Sequence, residues 1–166
     1  MKTTSVVHDT VVVERVYPVS REQVFDAWAD VEQRRHWHFP GDSEWVVVEM
    51  TQDFRVGGVE RMRFGPMSKP DLMSEGRFLD IIMNERIVSA GTMHRDDIRI
   101  SVTLCTVELT EDASGGTQVK LTDQSAYLDG SEKPKDRQSG WGKIFEHLGK
   151  HLNAGATGHR IKMEGP

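Results

Sequence analysis

The chain has 166 residues, 37% of them apolar and 28% charged, which suits one soluble domain with a real core and excludes a disordered chain. A formal charge of −5 argues against a dominant electropositive surface and hence against general DNA or RNA binding. No apolar run approaches the roughly 20 residues of a membrane span, and the start, MKTTSVVHDTVVVERVY, lacks the regions of a secretory signal, so the cytoplasm is the expected compartment.

TVVVERVYPV begins as a β-branched run and predicts a first strand over about residues 6–17. SREQVFDAWAD follows. Ser20 stands at the cap, Gln23 three residues on, and Val19 and Val24 occupy the staple positions, so a short helix starts at Arg21. Asp30, with Gln33 three residues later, restarts a brief helix through Trp37, and Pro40-Gly41 ends it. Neither helix is long enough to hold in water alone, so Trp28 and Trp37 are expected to pin both to the rest of the domain. His36 and the arginines of RRH (34–36) read as their solvated side, as does the basic run KPKDR (133–137).

The middle of the chain is strand after strand: 45–50, 56–64, 74–83, 85–93, 97–109 and 117–127. FGPMSKPD, MNE, HRDD and EDASGG supply the turns, several short enough for antiparallel hairpins. Gly57-Gly58, placed in the second of these strands, reads as a bulge or bend, since no phosphate-loop sequence follows. Past it, Glu60, Met62 and Phe64 share one face and Arg61 and Arg63 the other, so Glu60 points inward and needs a partner. Ile98, Ile100, Val102 and Leu104 read as core-facing, against Arg99, Ser101, Thr103 and Cys105. On the last strand Asp123 and Ser125 share a face with Val119, Leu121 and Tyr127, which suggests a wet patch or a twist that changes the buried face. The single cysteine, Cys105, excludes an internal disulfide and reads as a buried or half-buried strand thiol.

Helical periodicity returns only at Trp141, Phe145, Leu148 and Leu152, a stripe of about four turns stopped at Asn153–Gly155. The expected fold is therefore α+β: a curved antiparallel sheet of six or seven strands around a long C-terminal helix, with two short helices after the first strand. Residues 1–155 form one domain and 156–166 a tail. One helix, about 10–12 Å across, cannot fill the concave side of so wide a sheet, so large side chains or a cavity must occupy the rest.

ERVYPVSREQVFDAWADVEQRRHW (14–37), FRVGGVERMRF (54–64), GRFLDIIMNERIV (76–88), TQVKLT (117–122) and Gly140-Trp141, in this order, resemble the bacterial homologues of the activator of the heat-shock-protein-90 ATPase. That family lies within the START-like, polyketide-cyclase (SRPBCC) helix-grip superfamily. The resemblance covers about residues 10–153 and implies a sheet gripping a C-terminal helix with a pocket between them. Where the family continues after the tryptophan matched by Trp37 with an aromatic, a glycine and a proline, this chain has His38, Phe39 and Pro40. That change makes the expected pocket mouth more polar and titratable.

The expected lining comprises Trp28, Trp37 and His38 from the short helices, and Glu60, Met62, Phe64 and Phe78 from the middle strands. Ile100, Val102 and Tyr127 follow from the later strands, and Trp141, Phe145 and Leu148 from the last helix. His38 and Glu60 are the only candidates for acid–base work, and no catalytic set is assigned. No metal or other cofactor is expected. His36 and His38 do not share a helix face, His94 sits in a turn, and His147 and His151 lack the glutamate of a zinc-protease motif and read as a flank facing solvent or the sheet rim.

The leading expectation is a domain that binds a mostly apolar or amphipathic small molecule without catalysis, with no nucleic-acid partner and no membrane insertion. Alternatives are a polyketide-cyclase or dehydratase-like enzyme and an accessory protein of the chaperone ATPase. Chaperone binding is the less expected partner, because the known activators carry a further domain. A homodimer through a sheet edge or the outer face is compatible with this arrangement.

Overall fold

The computed structural model describes residues 4–40 and 44–164, with side chains described as far as residue 154. Ten elements follow one another: β1 (Val6–Tyr17), α1 (Arg21–Ala29), α2 (Val31–His38), β2 (Trp45–Gln52), β3 (Val59–Pro66), β4 (Leu72–Ile82), β5 (Arg86–Arg95), β6 (Ile98–Glu111), β7 (Thr117–Leu128) and α3 (Pro134–Glu164). The strands form one antiparallel sheet in the order β1-β7-β6-β5-β4-β3-β2. This is the expected α+β helix-grip arrangement, with seven strands.

β1 and β2 are neighbours among the strands in sequence yet lie at opposite edges of the sheet. Six interstrand steps at about 4.8 Å make the sheet about 29 Å wide, so the connection has to cross that span. α1 and α2, nine and eight residues long, supply about 25 Å of rod at 1.5 Å per residue. The capping chemistry that starts each helix is present. The Ser20 hydroxyl accepts from Gln23 N at 3.2 Å and the Gln23 side chain accepts from Ser20 N at 3.2 Å. Asp30 accepts from Glu32 N at 3.0 Å. The expected stop at Pro40-Gly41 falls partly outside the described residues, and α2 itself ends at His38.

Hairpin turns fall where turn chemistry predicts them. Asn84 and Asp96 adopt positive φ at two of them, as short polar side chains tolerate. Gly57 and Gly58, expected inside a strand, instead close the β2–β3 turn, with Gly57 at φ +86°. A Cβ on Gly58 would stand 1.9 Å from the Asp53 carbonyl oxygen, so only glycine fits there.

The inner face packs two apolar groups. The larger joins Val11, Val13, Val119 and Leu121 of the sheet with Val24 and Trp28 of α1 and with Phe145, Leu148 and Leu152 of α3. The smaller gathers Met50, Met62, Phe64, Leu72 and Ile100, with Phe39, Trp45 and Met93 against it, toward the β2 edge. α3 is longer at both ends than its apolar stripe suggested. It starts at Pro134, with proline at the first helical position where its missing N–H costs nothing, and runs past Asn153–Gly155 to Glu164 through part of the expected tail. Glycine weakens a helix without forbidding it. Among the described residues no helix is long and apolar enough to cross a membrane.

Ser20→Ala should remove the capping box and lower stability by about 1 kcal/mol. The expected readout is a lower urea midpoint with an unchanged slope.

Candidate binding cavity

Between the concave sheet, the inner side of α3 and the α1–α2 pair lies a cavity of about 810 Å³, within the range of small-molecule sites. Its apolar wall is aromatic. Phe39 stacks on Phe64 with centroids 5.2 Å apart and planes 14° from parallel, and Trp45 lies 5.5 Å from Phe39. Phe54 meets Phe78 edge-on at 5.0 Å. Such packing fixes the walls more firmly than aliphatic side chains would.

Two charged clusters interrupt that wall. Arg34, on the inner side of α2, donates from Nη1 to Glu60 Oε2 at 2.6 Å and to Gln52 Oε1 at 2.7 Å. Gln52 in turn donates to the carbonyls of Trp28 and Ala29 at the end of α1. The Arg34 guanidinium also lies over the Trp28 ring, 5.5 Å from its centroid. Glu60 thus points inward and has the partner its position demands. Arg34 is the surprise, since RRH read as solvated and this arginine is buried.

The second cluster joins the start of α3 to β6 and β7. Arg137 donates from Nε and Nη2 to Glu132 at 2.6 and 2.7 Å, and from Nη2 to Ser101 at 2.9 Å. From Nη1 it donates to Asp123 at 3.0 Å, Thr103 at 3.1 Å and Ser125 at 3.2 Å. Trp141 Nε1 adds a 2.9 Å bond to the same Asp123 oxygen. Burial opposes the charge of Arg137, but its bonds to Glu132 and the carboxylate of Asp123 outweigh that and push its pKa up. The polar residues on the β7 face are therefore a buried network at the cavity, and KPKDR is solvated only in part.

His38 is 3% exposed and forms part of the wall, packed against Trp37, Phe39 and Trp141. It is not the titratable mouth expected of it. Burial, then the charges of Arg34 and His147, lowers its pKa well below the usual histidine value, so it stays neutral. Its Nδ1 is buried without a hydrogen-bond partner among the described residues. His36 turns the other way, toward His151. His147 and His151 face α2 rather than open solvent or the sheet rim: the ring nitrogens lie 3.2 Å from the His38 carbonyl oxygen and 3.0 Å from Gln33 Oε1. His94 lies within β5, not in the turn. Cys105 is a half-buried strand thiol on the cavity side. Burial, reinforced by Asp123 and Glu60, pushes its pKa up and keeps it protonated.

Of the predicted lining, Trp28, His38, Glu60, Met62, Phe64, Phe78, Ile100 and Trp141 border the cavity. Trp37, Phe145 and Leu148 are buried in the core beneath it, with Trp37 Nε1 donating to the Ala27 carbonyl at 2.9 Å. Tyr127 is buried under the Arg137 guanidinium. Val102 corrects the reading of β6. The ladder jumps from Met93–Ser101 to His94–Arg99, so Ile100 is an extra residue. Ile100 and Ser101 both end up buried, and Val102 and Leu104 turn outward, 44% and 39% exposed. Thr103 and Cys105 take the inner face instead.

The two arginines were reachable by helical spacing. Arg34 sits midway between Val31 and Trp37 on one face of α2, and Arg137 is four residues before Trp141, one turn upstream on its stripe. A basic side chain on an apolar stripe, with an unpartnered inward carboxylate elsewhere, signals a buried pair.

Sheet, helix and hollow together define a helix-grip domain built around an internal cavity. The chain belongs to the family described as Activator of Hsp90 ATPase homolog 1-like protein, whose model matches residues 18–153. It is similar to a protein from Rhizobium leguminosarum (32% identity, TM-score 0.82, covering 92% of this chain and 99% of the other). It is also similar to Mll3558 from Rhizobium loti (37%, 0.79, 89% and 99%). CV1439 from Chromobacterium violaceum, at 23% identity, shares the fold (TM-score 0.73, 86% and 96%). No curated protein matches the chain.

Arg137→Met should leave Asp123, which is fully buried, with an uncompensated charge, and should cost about 3–5 kcal/mol in denaturant unfolding at pH 7. Arg137→Met combined with Asp123→Leu should recover part of that loss. A second expectation concerns pH. The folded state holds His38 neutral while the unfolded chain takes up a proton near pH 6.5, so the unfolded state binds more protons and stability falls as pH drops through that value. The contribution is at most about 1.4 kcal/mol per pH unit. Melting curves between pH 7.5 and 5 should slope less for His38→Phe than for the native chain.

Proposed function

We propose that the protein binds a mostly apolar small molecule inside the sheet–helix cavity and acts by holding it rather than by transforming it. The observation that carries this reading is the cavity itself, about 810 Å³ with aromatic walls, between elements whose polar groups largely satisfy one another. Water is a poor occupant of the aromatic part of the hollow, beside Phe39, Phe64, Phe54 and Phe78, because it finds few partners there. A ligand would regain the contacts the walls lack. Membership of the family supports a ligand-binding domain.

The charged groups at the wall favour holding over turnover. Arg137 has every N–H engaged by protein acceptors. Cys105 stays protonated, and His38 stays neutral with no carboxylate bonded to its buried Nδ1. A nucleophile–base–orienter chain, as acyl transfer needs, is not assembled among the described residues. An apolar occupant with a polar group toward Glu60 suits the lining best.

The test is native mass spectrometry on protein purified from cells, followed by extraction and thermal melting with the extract. A bound species is expected, and saturating it should raise the melting temperature by roughly 5–10 °C, from about 2.7 kcal/mol at a hundredfold excess over Kd. Ser89 lies opposite Cys105 on the inner face. Ser89→Phe puts a ring into the hollow without filling it, and should weaken both signals and leave the fold intact. An empty native protein that no extract stabilises would sink the reading.

A further inference from the structure

One register row of the inner face has no bulk at its centre. Glu60 on β3 pairs with Gly76 on β4, Gly76 with Gly91 on β5, Gly91 with Thr103 on β6, and Thr103 with Ser125 on β7. The two glycines leave bare backbone as the cavity floor. Gly91 excludes a side chain, and Gly76 admits a methyl only at close contact. A Cβ at Gly91 would stand 2.2 Å from the Glu75 carbonyl oxygen, and one at Gly76 would stand 3.2 Å from that of Ala90 and 3.5 Å from Glu60 Oε1. The trough runs across the strands from Glu60 to Thr103, three interstrand steps or about 14 Å, enough for a flat molecule of two or three fused rings.

The two ends differ in what they offer. At the Thr103 end the hydroxyls of Thr103 and Ser125 bond one another at 2.7 Å and both take bonds from Arg137, which has no N–H left. At the Glu60 end, Oε2 accepts from Arg34 at 2.6 Å, while no described residue donates to Oε1, which borders the floor beside Gly76. That side chain keeps 21% of its surface exposed. The site therefore presents an acceptor that no described residue bonds, beside Arg34, whose buried Nε also lacks a hydrogen-bond partner among the described residues; Lys143, a further cation on the border, is exposed. Six acidic side chains border the cavity against four basic ones, so a carboxylate ligand meets net repulsion. An ammonium would meet Arg34, which sits on the same carboxylate. A neutral hydroxyl brings a donor without either penalty.

We propose that Glu60 Oε1 is the specificity-determining contact of the cavity. It accepts a hydrogen bond from the hydroxyl of a flat, uncharged ring ligand lying on the Gly76–Gly91 floor, and the site discriminates against carboxylates. This rests on the cavity being a ligand site. Arg34 serves as a positioning residue that fixes the carboxylate and turns Oε1 toward the floor.

Calorimetric titration of the full chain with 2-naphthol, 2-methoxynaphthalene and 2-naphthoate tests it, the three sharing their rings and differing in the polar group. 2-Naphthol should bind at least about tenfold tighter than either of the others, a typical margin for one buried hydrogen bond to a charged acceptor. Glu60→Gln should shrink that preference to about threefold or less and leave 2-methoxynaphthalene unchanged. Should Glu60→Gln misfold by near-ultraviolet circular dichroism, Gly76→Ala serves instead. It keeps the Glu60–Arg34 pair, puts a methyl on the floor beside Oε1, and should cost 2-naphthol about tenfold. Equal binding of the three probes, or a preference that survives in both variants, overturns the assignment of Glu60 while leaving the cavity reading intact. Binding of none of the three counts against the cavity reading and takes this assignment with it.

Discussion

A rod about 10 Å across lies against a sheet about 29 Å wide, and the rest of the structure follows from that mismatch. α3 covers the β1 side of the sheet, where Phe145, Leu148 and Leu152 close a continuous core with Val119 and Leu121. It cannot also reach the β2 side, where Met62, Phe64 and Leu72 form a second, smaller group under Phe39 and Trp45. The hollow is what remains between the two groups. Because β1 and β2 are opposite edges, the segment joining them must cross the open end, and α1 and α2 become the wall of the hollow as a consequence of topology.

A cavity wall made by helix termini and strand edges carries polar backbone and charged side chains that a solid core would exclude. Here each buried charge is tied to another. Gln52 joins Arg34 and Glu60 to the end of α1. Arg137 joins the first turn of α3 to two strands and to the loop before it. Such pairs contribute little net stability, since desolvation offsets much of the attraction. They do fix geometry, because breaking either leaves a charge in a dry site. The helices that bound the hollow are thereby held at a set distance from its floor, which an apolar seam would leave looser.

Electrostatics also sets the state of the groups around the hollow. The groups that could do chemistry are present, namely a thiol, a histidine and carboxylates, but their surroundings keep the thiol and imidazole neutral. The opposite environment, a histidine held charged or a thiol beside a cation, would have argued for turnover. Around its aromatic interior the wall carries carboxylate acceptors and, at Trp28 Nε1 and Arg34 Nε, buried donors with no partner among the described residues.

Much of the fold was legible in the residues themselves. The Ser20–Gln23 box, the turn chemistry at Asn84 and Asp96, the alternation along β7 and the stripe from Trp141 to Leu152 are local signals, and local backbone energetics act on them directly. Even the inward Glu60 and the polar face at Asp123 and Ser125 could be seen, because period-two alternation decides which way a strand residue points. What sequence left open was whatever depends on two distant segments meeting. One extra residue at Ile100 reverses the faces of everything after it, so Val102 went out and Thr103 and Cys105 came in, and no local preference announces such a bulge. Arg34 and Arg137 read as solvated because a long basic side chain is usually so. Only the packing of α2 and α3 over β3 and β7 set them beside the carboxylates that justify burial. The sequence determined the elements and, where no bulge intervenes, their inward faces; the tertiary structure decided the faces past the bulge, which charges meet and how much space stays empty between them, since these depend on strand register and helix placement rather than on the chain's local preferences.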